Sequence, residues 1–382
     1  MIDKSKQNIA PVRILFSAIN GYGHYYLKTL FEEIPESDAV LVGIIDPEAH
    51  KSGYYSFISG KNIPIFNTID EYFNKGFEAD LTVISSPPQY HVSQAVVALE
   101  NGSNVLVDKP VGVNVDSVKE LIETAENAKR WVEVGYQWTF SKAIQDLKRD
   151  ILDGIYGDPL RFKTICLWPR EHSYYNRNSW AGKIADPMGQ FVLDSPANNA
   201  CAHFLHNLLF LLGDVMDTCA MPQELESKRF RAYDIENFDT ISLRVQTNRG
   251  AEVLFYASHV SESPRNPEFV LEFEKGLVEL GGSDKQIVGR DKKGLIKNYG
   301  HPDDDHQFKK LFGAIRRVKE GGLAICPPEA AIAQTICINM IHESKDPVVK
   351  FPDEMLVETE NRRWVRGLGN KIDRAYEGNC LI

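Results

Sequence analysis

Between Val12 and about Trp138, short runs rich in β-branched residues alternate with segments of helical period. A strand that pairs parallel to its neighbour needs a long crossover, usually a helix, so this alternation predicts a parallel sheet flanked by helices. The runs are Val12–Ala18, Val40–Asp46, Leu81–Ser85, Asn104–Val107 and Trp131–Gln137. Between the last two, Val118, Leu121, Ile122, Ala125 and Ala128 form one apolar stripe from Val115 to Lys129, behind the capping residues Asn114 and Asp116.

After about residue 140 the pattern changes. A helical stretch leads to a loop rich in Trp, Tyr, Arg and Asn (Trp168 to Trp180), then to a long apolar helix from about Asn198 to Leu212. The runs Thr240–Gln246, Glu252–His259, Phe269–Glu274, Gly276–Leu280 and Gln286–Val288 follow with no helix between them, separated by turns such as Asn248-Arg249-Gly250 and Gly281-Gly282. Consecutive strands of this kind predict an α+β domain on a largely antiparallel, open-faced sheet. Helices are expected near Asp305–Lys319 and at Pro328–Ser344, returning to pack on the domains. A chain of 382 residues exceeds the usual size of one core, and residues 1–138 and 139–382 are the expected domains.

Charge and composition exclude several classes. With 43% apolar and 25% charged residues the chain can fill a large core, so it is not a disordered one. A net charge of −10 opposes nucleic acid or an anionic membrane as the main partner, the basic stretch from Arg362-Arg363 to Arg374 being a local exception. The six cysteines at 166, 201, 219, 326, 337 and 380 form no Cys-x-x-Cys pair and read as buried thiols in a reducing compartment. Met1 to Pro11 is polar, and no run reaches the roughly eighteen apolar residues of a membrane span, so a cytoplasmic location is expected.

The first run enters Ala18-Ile19-Asn20-Gly21-Tyr22-Gly23. A Rossmann phosphate turn of the form G-x-G-x-x-G needs glycine where the chain bends and where its backbone approaches a pyrophosphate. Only Gly23 matches strictly, with Ala18 and Asn20 at the other two positions; Asn tolerates left-handed angles, so the turn can still form. Asp46 ends the second run 23 residues after Gly23, near the spacing at which a carboxylate meets the adenine ribose. That favours NAD over NADP, although His50 and Lys51 leave NADP open, and a plain turn residue before Pro47 is the competing reading of Asp46.

The motifs Val83-Ile84-Ser85-Ser86-Pro87-Pro88 with His91, and Gly102-Ser103-Asn104-Val105-Leu106-Val107-Asp108-Lys109-Pro110, add a resemblance. The chain resembles the glucose-fructose oxidoreductase/inositol dehydrogenase/rhizopine catabolism (Gfo/Idh/MocA) family over roughly Val12 to Ser344, with Asp108 where that family has Glu. The resemblance implies that Lys109 lies beside the nicotinamide and hydrogen-bonds the reacting hydroxyl, and that Lys109–Pro110 is cis. It also implies a cofactor site from Ala18, Asn20, Gly21, Tyr22, Gly23, Asp46, Ser86, Pro87, His91, Asp108, Lys109 and Gln137.

The family's Asp-x-x-x-His corresponds to Asn199-Ala200-Cys201-Ala202-His203, followed by His206. Residues 199, 203 and 206 are spaced to share one helix face, a polar stripe in an apolar helix. His203 is the expected general acid/base, with Asn199 and His206 beside it; two histidines at i, i+3 without a carboxylate do not make a metal site, and none is expected. On the substrate side stand Lys109, Tyr136, Trp168, Arg170, Tyr175, Arg177, Trp180, Asn199 and His203, aromatic faces beside polar donors that suit sugar rings.

The expectation is an NAD(P)-dependent oxidoreductase, with NAD the favoured cofactor, moving hydride between a sugar or cyclic polyol and nicotinamide. Two readings compete with it: a tightly held, recycled NAD, and a non-catalytic ligand sensor, which the degenerate turn and Asn199 favour. A sheet face unexplained by covering helices predicts a homodimer or homotetramer through the C-terminal sheet.

Overall fold

In the computed structural model, which describes residues 10–281, 285–291 and 293–382, the chain opens with eleven alternating elements. They are β1 (Val12–Ser17), α1 (Gly23–Glu33), β2 (Ala39–Ile45), α2 (Tyr55–Gly60), β3 (Ile65–Phe66), α3 (Ile69–Asn74), β4 (Leu81–Ile84), α4 (His91–Glu100), β5 (Asn104–Val107), α5 (Val115–Ala128) and β6 (Val132–Val134). The strands make one parallel sheet in the order β3-β2-β1-β4-β5-β6. All of β4 and nearly all of β1 and β5 are buried, which is why they read as continuous apolar runs. The last predicted run shortens to Val132–Val134, and β3, only two residues long, is too short to show a period. The strand order reverses between β1 and β4; open α/β sheets bind ligands beyond the strand ends at such a switch point.

The chain continues through α6 (Lys142–Leu152), β7 (Pro159–Leu167), α7 (His172–Tyr175), α8 (Ala202–Leu211), β8 (Pro222–Arg231), β9 (Thr240–Thr247), β10 (Glu252–Ser258), β11 (Arg265–Phe273), β12 (Gly276–Gly281), β13 (Gln286–Asp291) and β14 (Gly294–Gly300). It ends with α9 (Lys309–Glu320), α10 (Pro328–Glu343), β15 (Val349–Lys350), β16 (Leu356–Glu358), β17 (Arg363–Val365) and α11 (Leu368–Glu377). Of the predicted turn Gly281-Gly282, Gly282 lies outside the described residues.

A nine-stranded sheet runs β14-β13-β12-β11-β7-β10-β9-β8-β15, antiparallel except that β7 pairs parallel with β10 and β8 with β15. Side chains alternate across its central strands. Phe162, Cys166, Val253, Phe255 and Ala257 pack with Phe204, Leu205 and Leu208 of α8, while Ile165, Leu167, Leu254 and Tyr256 pack with Leu368, Ile372 and Tyr376 of α11. Both faces of β7 and β10 are therefore covered within the chain, so the premise for an oligomer, a bare sheet face, does not hold at those strands. β8 escapes the sequence reading because Glu224, Glu226, Lys228, Arg229 and Arg231 break its hydrophobic pattern. Of the six cysteines Cys380 is exposed and the other five are buried. Among the described residues no helix is long and apolar enough to cross a membrane.

Two compact units result. The first holds the chain up to Gly112, Asp116–Gln137 and His306–Pro328; the second holds Val113–Val115, Trp138–Asp305 and Glu329–Ile382. Helix α9 thus belongs to the first unit, where Leu311, Ala314 and Ile315 pack with Phe16, Leu81 and Leu106. It also carries two buried cations into that core. Arg317 pairs with Glu133, which is fully buried in β6 and also accepts from Cys326 N at 2.6 Å and Ile325 N at 3.3 Å. Burial pushes the Glu133 carboxyl up, and Arg317 with these two amides opposes the shift. Removing one member of a buried pair leaves the other charge uncompensated. Arg317→Met is expected to cost about 3–5 kcal/mol in urea unfolding, and adding Glu133→Gln should recover most of that loss.

Candidate active site

The turn between β1 and α1 is built by two left-handed residues, Ala18 (φ 64°) and Gly21 (φ 56°); Asn20, expected in that conformation, is not left-handed. Asn20 instead acts through its side chain, donating to Asp46 Oδ2 at 3.0 Å and to the Glu48 carbonyl at 3.0 Å. Asp46 also accepts from Ile19 N at 2.9 Å and Glu48 N at 2.8 Å, so the carboxylate ending β2 ties the whole turn down. Gly23 starts α1 under a steric requirement: a Cβ there would lie 2.1 Å from the Ala18 carbonyl oxygen and 2.7 Å from Ser85 Oγ. At Gly21 a Cβ would meet nothing within 4 Å. A glycine turn with open space, at the N-terminus of an eleven-residue helix and at the switch point of the sheet, fits the pyrophosphate of a dinucleotide. Tyr22 packs tilted against Phe308, ring centres 5.6 Å apart, and accepts from Gln307 Nε2 at 3.2 Å.

Beyond β5 the chain passes through Asp108 and the cis peptide Lys109–Pro110. Asp108 is buried, and its Oδ1 accepts from Tyr26 Oη at 2.8 Å and from Lys310 Nζ at 2.8 Å. Lys310, on α9, also donates to the Gly135 carbonyl at 3.2 Å. Burial pushes this ammonium down, yet Asp108 and the Tyr22 hydroxyl outweigh it and leave the pKa raised. A Cβ at Gly135 would stand 2.8 Å from Asp108 Oδ1 and 2.9 Å from Lys310 Nζ, so glycine is needed for the pair to form. Lys109 itself is partly exposed.

His91 opens α4 with Nδ1 2.7 Å from the Pro110 carbonyl and Nε2 2.7 Å from the Ser86 carbonyl. It therefore ties the loop after β4 to the loop after β5. Burial lowers its pKa, against the two carbonyls. Ser86 Oγ donates to Gln94 Oε1 at 2.8 Å, and Pro87 begins the short turn leading to α4. After β6 come Tyr136, buried, and Gln137, partly exposed.

In the second unit the proposed helix-face constellation divides. Helix α8 begins at Ala202, so Asn199 lies on the turn before it rather than on its face, and only His203 and His206 are helical. The turn from Pro196 is closed by Asn199 N to Ser195 O and Cys201 N to Pro196 O instead of a continued helical ladder. His203 is partly exposed, whereas His206 is fully buried and stacked at 6.0 Å on Phe210. Burial and the nearby Lys148 ammonium push the His206 pKa down to about 3, so its ring is neutral at ordinary pH.

Asn199 Nδ2 donates at 2.8 Å to Asp194 Oδ1, and the buried Asp194 accepts from Gly182 N at 2.6 Å. The acid that the resemblance expects at 199 is thus replaced by an amide oriented by an acid at 194. The aromatic segment is a cluster of its own. The Arg177 guanidinium lies 3.8 Å from the Tyr174 ring centre and 5.1 Å from that of Trp180; Arg170 lies 4.7 Å from Tyr174 and 5.7 Å from Trp168. Tyr175 Oη is 3.1 Å from His259 Nδ1. Trp138, beyond the sixth strand, donates to Asp303 Oδ1 at 2.8 Å.

Asp194, Tyr174, His259, Tyr26 and Lys310 were not singled out from the sequence. A lone acid in the apolar stretch Phe191-Val192-Leu193 was the available signal for Asp194. For Lys310, a basic residue among the apolar positions of an amphipathic helix resembles any surface lysine.

Residues 17–136 match the model of an oxidoreductase family with an NAD-binding Rossmann fold, GFO_IDH_MocA. The chain is 25% identical over 158 residues to the scyllo-inositol 2-dehydrogenase (NAD(+)) of Bacillus subtilis, spanning 40% of this chain and 43% of that protein. It is 20% identical over 320 residues to the 2,7-anhydro-N-acetylneuraminate hydratase of Mediterraneibacter gnavus, spanning 80% and 79%. Among solved structures, the WlbA dehydrogenase of Bordetella pertussis in complex with NADH and UDP-GlcNAcA superposes with a TM-score of 0.69 at 19% identity, covering 87% of this chain and 96% of that one.

Two measurements check the site. Gly23→Ala must displace the Ala18 carbonyl, and overpacking of this kind costs about 1–3 kcal/mol; a lower urea midpoint and loss of NAD binding by calorimetry are expected. His206 binds a proton in the unfolded chain near pH 6.5 but in the fold only near pH 3, so its contribution is complete above pH 6.5 and lost as pH falls. Between those values His206→Gln should flatten the fall of stability by up to about 1.4 kcal/mol per pH unit. Asp239, pushed up to about 6 by burial, tilts the same window the opposite way and persists in the variant.

Proposed function

We propose, from the membership of this chain in the Gfo/Idh/MocA oxidoreductase family through residues 17–136, that it oxidises or reduces a CH–OH carbon of a sugar or cyclic polyol with NAD. The observation that carries the proposal is the placing of Lys109. It follows β5 at the C-terminal end of a parallel sheet, one strand removed from the switch point, while the neighbouring Asp108 is turned inward onto Lys310 and Tyr26. The C-terminal ends of the strands border the crevice in which such sheets hold ligands, which supports this reading of Lys109.

The turn Ala18–Gly23 with Asp46 would hold the dinucleotide, and NAD supplies the hydride acceptor when bound. Asp46 supports NAD over NADP, since a buried carboxylate already bonded to three donors would repel a ribose phosphate. Lys109 donates a hydrogen bond to the alcohol oxygen and stabilises the negative charge that develops as the C–H bond breaks. His203, partly exposed at the start of α8, accepts the hydroxyl proton; the buried, neutral His206 supports the ring's surroundings instead of exchanging protons. Asn199, oriented by Asp194, offers its amide oxygen to a substrate hydroxyl.

A panel of aldoses and cyclic polyols followed by absorbance of reduced cofactor tests the reading. With the substrate identified, Lys109→Ala is expected to lower kcat/KM by about 100- to 10,000-fold. His203→Asn should remove the proton acceptor and lower kcat by about 100-fold or more. Unchanged turnover in Lys109→Ala would overturn the assignment, and product formation without net NADH would mark a recycled cofactor.

A further inference from the structure

We infer that the substrate carries an anionic group, a carboxylate or a phosphate, which docks on Arg170 and Arg177 of the aromatic segment. This rests on the redox reading above and narrows its substrate class. The argument begins with charge. Among the described residues the Arg170 guanidinium makes no hydrogen bond and no ion pair, and its Nε is buried without a partner. Its hydrogen bonds go only through the backbone, to the His259 carbonyl and from Tyr233 Oη. The guanidinium is instead set by aromatic faces, Trp168 at 5.7 Å and Tyr174 at 4.7 Å, which orient a cation without neutralising it.

Arg177 shares the Tyr174 ring at 3.8 Å. Its one carboxylate neighbour, Asp194, is 3.9 Å away and is bonded to Gly182 N and the Asn199 amide. Two cations therefore meet one committed acid. A second observation is independent of the arginines' own contacts. His259 is 1% exposed, lies edge-on to Tyr174 with ring centres 5.4 Å apart, and has Nε2 without a partner. Burial and the positive field of Arg170 and Arg177 keep this imidazole neutral. A buried donor set of this kind is costly unless a ligand completes it, and guanidinium forks match the oxygens of carboxylate and phosphate.

The test is calorimetric binding to the full chain with NAD present, using glucuronate, glucose 6-phosphate and glucose, beside turnover of each. One charged sugar should bind about 10- to 100-fold more tightly than glucose. That preference should weaken with added salt, and which of the two is preferred tells carboxylate from phosphate. Arg170→Gln should abolish the preference and Arg170→Lys should keep part of it; Arg177→Gln, at a more exposed position, repeats the test if Arg170→Gln does not fold. Equal affinity for all three sugars, or an equal loss on all three in the Gln variants, overturns the inference. Charge-selective binding upholds it whether or not NAD is reduced, and the redox reading stands or falls on the panel of aldoses and polyols alone.

Discussion

The ion pair between Lys310 and Asp108 is the interaction on which the packing of the first unit around Lys109 depends. It places a cation and an anion in a core where neither survives alone, and it does so at the residue immediately before Lys109. Asp108 is drawn inward just beyond the C-terminal end of β5, and Lys109 follows it, partly exposed. Tyr26 of α1 and the Gly135 carbonyl after β6 complete the arrangement, so one carboxylate fastens α1, β5, β6 and α9 together. A glutamate there would need a different spacing from Lys310; the shorter Asp and the glycine at 135 fit each other.

The second unit solves a related problem with an amide. Asn199 alone is neutral and a poor substitute for a carboxylate, but its bond to Asp194 fixes which way the amide faces. Asp194 in turn is committed to Gly182, whose left-handed backbone (φ 70°) lies under the side chain of Ile235. The aromatic segment is thereby pinned at both ends, at Asp194 and where Arg170 N meets the His259 carbonyl. Ring contacts of Tyr174 with Arg170, Arg177 and His259 join the side chains between, which suits a surface meeting ring-shaped, hydroxyl-rich ligands.

Much of this was legible in the chain itself. Gly23 could be singled out because a close-approach glycine after a first strand has a steric signature, and the Lys109–Pro110 motif because consecutive residues carry it. Asn20 was read in the wrong role, as a backbone residue, because nothing in its neighbourhood announces that Asp46 awaits its side chain. The stripe 199-203-206 was overextended for a similar reason: periodicity continues through a turn as easily as through a helix, and only the backbone bonds reveal that α8 starts at Ala202.

The sequence by itself determined the parallel sheet, the largely antiparallel second sheet in outline, and the residues that end the strands, since period and local sterics act between near neighbours. Tertiary structure alone decided that of the two returning helices α9 joins the first unit and α10 the second, that Lys310 and Arg317 find Asp108 and Glu133, and that His206 is buried while His203 is partly exposed. Pairings between residues far apart in the chain leave no periodic trace. Burial of a charge or an imidazole depends on which partner the fold brings to it.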